Sequence, residues 1–152
     1  MIVIKNRQRT VPIDVNRLYR EVALIIALLG YEQYDITVVI TNNRTIRRFN
    51  RDFRSVDTVT DILSFPYYAD VIAGDRIIPS SDEEHILGDI VISAPYVASA
   101  AREHGVPFTD RMRMLLVHGI LHLLGYDHVN DTDYAQMQVE ENRILQHLET
   151  IP

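Results

Sequence analysis

The chain has no cysteine among its 152 residues. That excludes disulfides and every metal site built on thiolates, and it is compatible with a reducing compartment. Long apolar runs are missing as well. The longest, residues 22–29, falls far short of the roughly 20 residues that span a bilayer. The opening segment Met-Ile-Val-Ile-Lys-Asn-Arg lacks the apolar stretch of a secretory signal, so a cytoplasmic protein with no membrane partner is expected. Positive charge is in deficit: the formal net charge is −6, which argues against a protein that coats nucleic acid in bulk. Repeats, low-complexity tracts and linker-like stretches are also lacking, so residues 1–152 are expected to form a single domain.

What is present is ordinary in amount and uneven in placement. Apolar residues make up 47% and charged residues 24%, normal for a globular protein. Of 15 basic residues, only Lys5 is a lysine. Five arginines fall between positions 44 and 54, with Asp52 the only carboxylate in that window. Acidic residues gather instead over 70–84 and after 129. A local basic patch on an acidic protein suits a local anionic ligand better than a bulk polyanion.

Periodicity assigns these features to elements. Residues 1–5 read as a strand. Val15, Leu18, Tyr19, Val22, Ile25, Ile26 and Leu29 form a helical stripe over 14–29, closed by Gly30. Residues 35–41 are β-branched and read as a strand. Residues 43–53 read as a helix with two faces, one of Arg44, Arg47, Arg48 and Arg51, the other of Ile46, Phe49 and Phe53. The arginine face fits either a solvated surface or a site for a local anionic ligand. Residues 60–65, ended by Pro66, and 86–93 are further strands. The residues between them make a loop long enough to be functional, disordered or to contain a hairpin, and a flap over a site is one reading. Helices are expected over 95–104 and 109–124. The second is apolar nearly all round and should be the central buried helix. Tyr134, Met137, Ile144, Leu145 and Leu148 mark a last helix. Interleaved strands and helices give an α/β or α+β fold around a small sheet.

The segment with most chemistry is Val117-His118-Gly119-Ile120-Leu121-His122-Leu123-Leu124-Gly125-Tyr126-Asp127-His128. On a helix, His118 and His122 share a face. Gly125 can end the helix in the left-handed conformation, after which the chain turns back and His128 can supply a third ligand. Two core histidines on a buried helix would be the plain reading of a pair; the triplet favours a metal. Three neutral imidazoles suit zinc or a similar divalent ion, one per chain, and leave a fourth position open, as catalytic sites do. A water bound there would have its pKa lowered to about 7. Metzincin proteases share this spacing but carry a glutamate base after the first histidine. Here that position is Gly119, so the peptide-cleaving base is missing. Met137 falls on a helical apolar stripe rather than in a Met-turn.

This string resembles the signature of the YbeY family of bacterial endoribonucleases, the rRNA maturation factors. Two other motifs agree: Phe49-Asn50-Arg51-Asp52-Phe53-Arg54 with Thr60-Asp61-Ile62-Leu63-Ser64-Phe65-Pro66, and Leu87-Gly88-Asp89-Ile90-Val91-Ile92-Ser93. Val59 departs mildly, since proline is common before the Thr-Asp pair. The resemblance implies an α+β domain, a small mixed sheet packed with about five helices, and a metal cleft beside the buried central helix. It implies a metal-dependent, single-strand-specific endoribonuclease that matures the 3′ end of 16S rRNA and serves ribosome quality control. The partners implied are the 16S rRNA precursor, the small ribosomal subunit and ribosome-assembly proteins. Carried over by motif, His118, His122 and His128 are the zinc ligands and Arg54 lines the catalytic cleft.

The residues support the same chemistry. Phosphodiester cleavage builds negative charge, which a zinc ion and the non-titrating fork of Arg54 can stabilise. Asp127 is expected either to orient a ligand histidine, to act as general base, or to be an ordinary turn carboxylate. Arg44, Arg47, Arg48 and Arg51 are the expected RNA-backbone track. Asp61 and Asp89 are expected to satisfy local backbone. Two other classes stay open: a zinc metallopeptidase-like hydrolase, and a non-catalytic ribosome-assembly factor whose metal stabilises the fold.

Overall fold

The protein is described by a computed structural model covering residues 1–152. The elements follow in the order β1 (Ile2–Asn6), α1 (Val15–Leu28), β2 (Asp35–Thr41), α2 (Asn43–Arg54), β3 (Ile62–Pro66), β4 (Ile86–Ser93), α3 (Ala94–His104), α4 (Phe108–Leu123) and α5 (Asp131–Leu148). Three helices begin on a side chain that accepts a free backbone N–H. Asp14 accepts from Arg17 at 3.0 Å, Asn42 from Thr45 at 2.9 Å and Asn130 from Asp133 at 2.9 Å.

The sheet runs β1-β2-β4-β3. β1, β2 and β4 are mutually parallel, and β3 pairs antiparallel with β4 at the far edge. The sheet is therefore mixed, and with five helices it makes a small α+β domain. Strand alternation divides the side chains between two faces. Val38, Ile40, Ile90 and Ile92 enter the main core, shared with α1, α4 and α5. Val39 and Val91 point the other way, where Ile46 of α2, Leu63 and half-buried Phe49 and Phe65 cover them.

Several elements differ from the periodic pattern for local reasons. β3 begins at Ile62, not residue 60, because Asp61 makes a turn: its carboxylate accepts from the Ile62 N–H at 2.7 Å and its carbonyl from the Ser93 N–H at 2.9 Å. On α1, Val15 and Tyr19 face solvent. Buried Glu21 lies inside instead, held by Arg17 at 3.0 Å and by Arg113 of α4 at 2.9 Å. The segment 67–85 contains no hairpin, only a 3-10 turn at Asp82–Glu84. It is a strap across the end of α1. Ile77 is buried and its N–H donates to the Tyr31 hydroxyl at 3.0 Å, while Arg76 hydrogen-bonds the Gly30 carbonyl and lies over the Tyr31 ring. Phe53, on the same face of α2 as Ile46 by spacing, is 62% exposed.

α4 is buried on nearly all sides, as its apolar surface requires. Gly119 in its interior opposes helix propensity by about 1 kcal/mol. The reason is proximity. A Cβ at this position would stand 2.6 Å from Ile62 Cδ1 and 3.2 Å from Ser64 Oγ. The bare backbone instead lets the Ser64 hydroxyl donate to the Gly119 carbonyl at 3.1 Å, fastening α4 to β3. A Gly119→Val substitution is expected to lower stability by about 2 kcal/mol through overpacking. Urea unfolding checks this as a lower midpoint at unchanged slope; an unchanged midpoint would mean that the contact is slack.

Candidate metal centre

His118 and His122 lie on the same face of α4, with their Nε2 atoms 2.9 Å apart. The chain leaves the helix through a tight turn in which the Gly125 N–H donates to the His122 carbonyl at 3.1 Å and the Tyr126 N–H to the Leu121 carbonyl at 3.1 Å. Gly125 has φ +88°, and a Cβ there would meet the Val71 carbonyl oxygen at 2.0 Å, so both conformation and space demand glycine. The turn brings His128 back over the helix end. Its ring centroid lies 5.6 Å from that of His118 and 5.3 Å from that of His122. One nitrogen from each of the three rings falls within 4.8 Å of the others.

The partners of the outer nitrogens decide what this cluster can do. His118 Nδ1 lies 3.1 Å from Glu141 Oε1, and His122 Nδ1 lies 2.8 Å from the Tyr126 carbonyl oxygen. Both partners accept hydrogen bonds, so in the neutral rings each Nδ1 carries the proton and donates it. Each Nε2 is then a bare lone pair, and the two lone pairs face each other. That arrangement is repulsive unless a cation lies between them. The three histidines could therefore hold a divalent metal ion, with Glu141 and Tyr126 orienting two of the ligands. Burial, reinforced by the neighbouring His118 ring, pushes the His122 imidazole below its ordinary 6.5, which favours the ligating neutral form.

A small cavity of about 160 Å³ opens beside the cluster, lined by His118, His128, Tyr134, Met137, Gln138 and Glu141. Met137 lines it from within α5, not from a turn. No residue of the 67–85 strap lines this cavity; the strap's Val71 carbonyl packs instead against Gly125.

The other sequence-selected residues fall in two places. Asp127 accepts from the His128 backbone N–H at 2.7 Å, and its carboxylate stands 3.9 Å from His128 Nδ1. Arg54 ends α2, and Ser64 links it to the helix that carries His118 and His122. Arg54 Nη2 donates to the Ser64 carbonyl at 2.7 Å, while the Ser64 hydroxyl donates to Gly119, next to His118. Arg44, Arg47, Arg48 and Arg51 line one open groove of about 540 Å³ on the exposed side of α2. The sequence window counted only Asp52 against them. In space Asp57 joins in, paired with Arg47 at 3.0 Å, and Asp52 pairs with Arg51 at 3.0 Å. The Arg47 guanidinium holds the Asp57 carboxyl below its usual range. Arg44 and Arg48 have no carboxylate partner.

Glu141 was not singled out in the sequence, although a signal exists. Met137, Ile144 and Leu148 are the buried residues of α5, and Glu141 falls on the same stripe. A lone carboxylate on an otherwise apolar inward face marks a residue with a partner inside.

Fold and site together define a small α+β domain whose central helix and following turn converge three imidazoles on one point. The chain belongs to the YbeY family: a family model described as "Endoribonuclease YbeY" matches residues 3–149. Among similar proteins, an endoribonuclease YbeY of Geobacter sulfurreducens is 37% identical over 150 residues, covering 97% of this chain and 95% of that one. The protein of the same name from Clostridium acetobutylicum is 35% identical over 164 aligned positions, with 98% of each chain covered. A human endoribonuclease YbeY is 30% identical over 147 residues, covering 97% of this chain and 87% of that one. The solution structure of a Thermotoga maritima protein aligns with TM-score 0.61 at 21% identity, covering 100% of this chain and 94% of that one, and shares the fold.

Two predictions follow from the hydrogen-bonded imidazoles. Glu141→Gln should weaken metal affinity by about ten- to a hundredfold, measured by competition with a chromogenic chelator; unchanged affinity would leave Glu141 without an orienting role. The lowered His122 also sets a direction with pH. A group depressed in the folded state adds stability above its unfolded value of 6.5, and that stability is lost as pH falls through the folded value. Thermal unfolding of the metal-free protein should therefore begin to weaken below about pH 6.5, and metal release should steepen over the same range.

Proposed function

We propose that this protein is a zinc-dependent, single-strand-specific endoribonuclease acting in 16S rRNA 3′-end maturation and ribosome quality control. In this reading the whole of 1–152 is one hydrolase domain working in the cytoplasm on the 16S rRNA precursor and the small ribosomal subunit, alongside assembly proteins. The carrying observation is three imidazoles converging on one point in a chain that matches the family over residues 3–149. Relatives named endoribonuclease supply the RNA-cleaving activity.

His118, His122 and His128 would hold one zinc ion. When bound, zinc supplies Lewis acidity and brings the pKa of a water toward 7. The protein's own part is orientation and charge. Glu141 and the Tyr126 carbonyl hold the outer protons of two ligands and keep their Nε2 lone pairs aimed at one point. Arg54 brings a planar guanidinium with several donors. Its hydrogen bond to Ser64 fixes one guanidinium nitrogen and leaves the other N–H groups for two phosphate oxygens. Phosphodiester cleavage concentrates negative charge on those oxygens, so a pre-oriented guanidinium stabilises the transition state more than the ground state. Asp127, half exposed beside His128, is the proton acceptor in this scheme. Along the groove, Arg44, Arg47, Arg48 and Arg51 meet the RNA backbone, and phosphates compete with Asp57 and Asp52 for Arg47 and Arg51.

The test is zinc content plus cleavage of a 16S rRNA 3′-end substrate. The unaltered protein should carry near-stoichiometric zinc and cut. His118→Ala should lose both properties; Arg54→Ala should keep the metal and cut about a hundredfold more slowly or worse. Bound zinc without cleavage, with purified small subunits present, would leave a non-catalytic assembly factor. RNA affinity should also fall with salt, by about 0.7 log units per log unit of salt for each phosphate met. Combining Arg44→Ala with Arg48→Ala should flatten that slope, and an already flat response would reduce the arginine groove to solvated surface.

A further inference from the structure

Phe53 is an aromatic ring that the fold does not bury. It shares α2 with Ile46, which is fully buried, yet it is 62% exposed. Its two ring neighbours are both used by the small core beneath the sheet. Phe65 lies 5.5 Å away, nearly perpendicular, and Phe49 lies 6.0 Å away. Each of those neighbours also carries a guanidinium: Arg54 lies 4.9 Å over Phe65 and Arg48 lies 5.6 Å over Phe49. Phe53 has no such cover. It is an open ring in a cationic surround, one residue before Arg54, whose partner Ser64 fastens the helix that carries His118.

A single exposed ring is too small an apolar patch for a docking helix or a membrane. It matches one nucleobase, and the flanking guanidiniums match the phosphates on either side of that base. We propose that Phe53 is a nucleobase-stacking subsite, on which an unpaired base of the RNA strand lies while its neighbouring phosphates meet Arg48 and Arg54. This rests on the RNA reading above and deepens it. A base inside a duplex cannot offer its face to the ring, so the subsite selects unpaired strand near the cleavage point.

The experiment compares binding of a labelled short single-stranded oligoribonucleotide with an abasic ribose-phosphate strand of equal length and with a duplex. The unaltered protein, Phe53→Ala and Phe53→Tyr are used, each checked for metal content and circular dichroism. The unaltered protein should prefer the base-bearing strand over the abasic one by about tenfold, typical of one stacked base. Phe53→Ala should abolish that preference while binding abasic strand and duplex as before, and Phe53→Tyr should restore it. Salt-sensitive RNA binding that is indifferent to Phe53, or an equal loss on all three ligands, would overturn the stacking subsite alone. No RNA binding by the unaltered protein would overturn the RNA reading and the subsite together.

Discussion

α4 reaches the sheet because position 119 carries no side chain, and the candidate centre depends on that contact. The missing Cβ lets the Ser64 hydroxyl grip the helix backbone at 3.1 Å. The same serine holds Arg54 through its carbonyl, so one residue ties the proposed phosphate-binding cation to the helix that bears two imidazoles. A helix standing off by one methyl layer would separate these groups. The contact also explains how a protease-like histidine spacing serves other chemistry. Position 119 faces Ile62, Ser64 and Ile90, so a side chain there would crowd the sheet before it could reach the histidines.

The electrostatics at the helix end depend on two outer partners. Glu141 and the Tyr126 carbonyl are both acceptors, and each draws a proton to the outer nitrogen of its ring. The inner nitrogens are left as opposed lone pairs, a local repulsion that a divalent cation would turn into attraction. Burial works in the same direction by keeping His122 neutral. The turn that ends α4 thus does two jobs: Gly125 turns the chain so that Tyr126 can accept from His122, and it swings His128 toward the other rings.

What could be read in the sequence was what rests on short-range spacing. His118 and His122 are one helical turn apart, and Gly125 announces the turn that brings in His128. The helices and strands were legible because their apolar periods are clean, and the mixed α+β sheet came from motif resemblance, since β3 antiparallel to β4 is not written in any local pattern. What escaped depends on distant partners. Asp57 lies outside the arginine window yet pairs with Arg47 across a turn. Phe53 fits the inner stripe of α2 by spacing, but α2 covers only a small patch of the sheet and its last turn overhangs the edge strand. Glu141 is separated from His118 by 23 positions and meets it only when α5 packs on α4. The strap 67–85 is ordered from outside by Tyr31, whose hydroxyl accepts from the Ile77 N–H, 46 positions away, and no local rule connects the two.

The most direct measurement is nitrogen-15 NMR of the histidine rings as zinc is added. His118 and His122 should both be Nδ1–H tautomers in the metal-free protein, and one equivalent of zinc should shift their Nε2 resonances together with one nitrogen of His128. Nε2–H tautomers in either helical ring, or rings that ignore zinc, would contradict a preformed metal centre on α4.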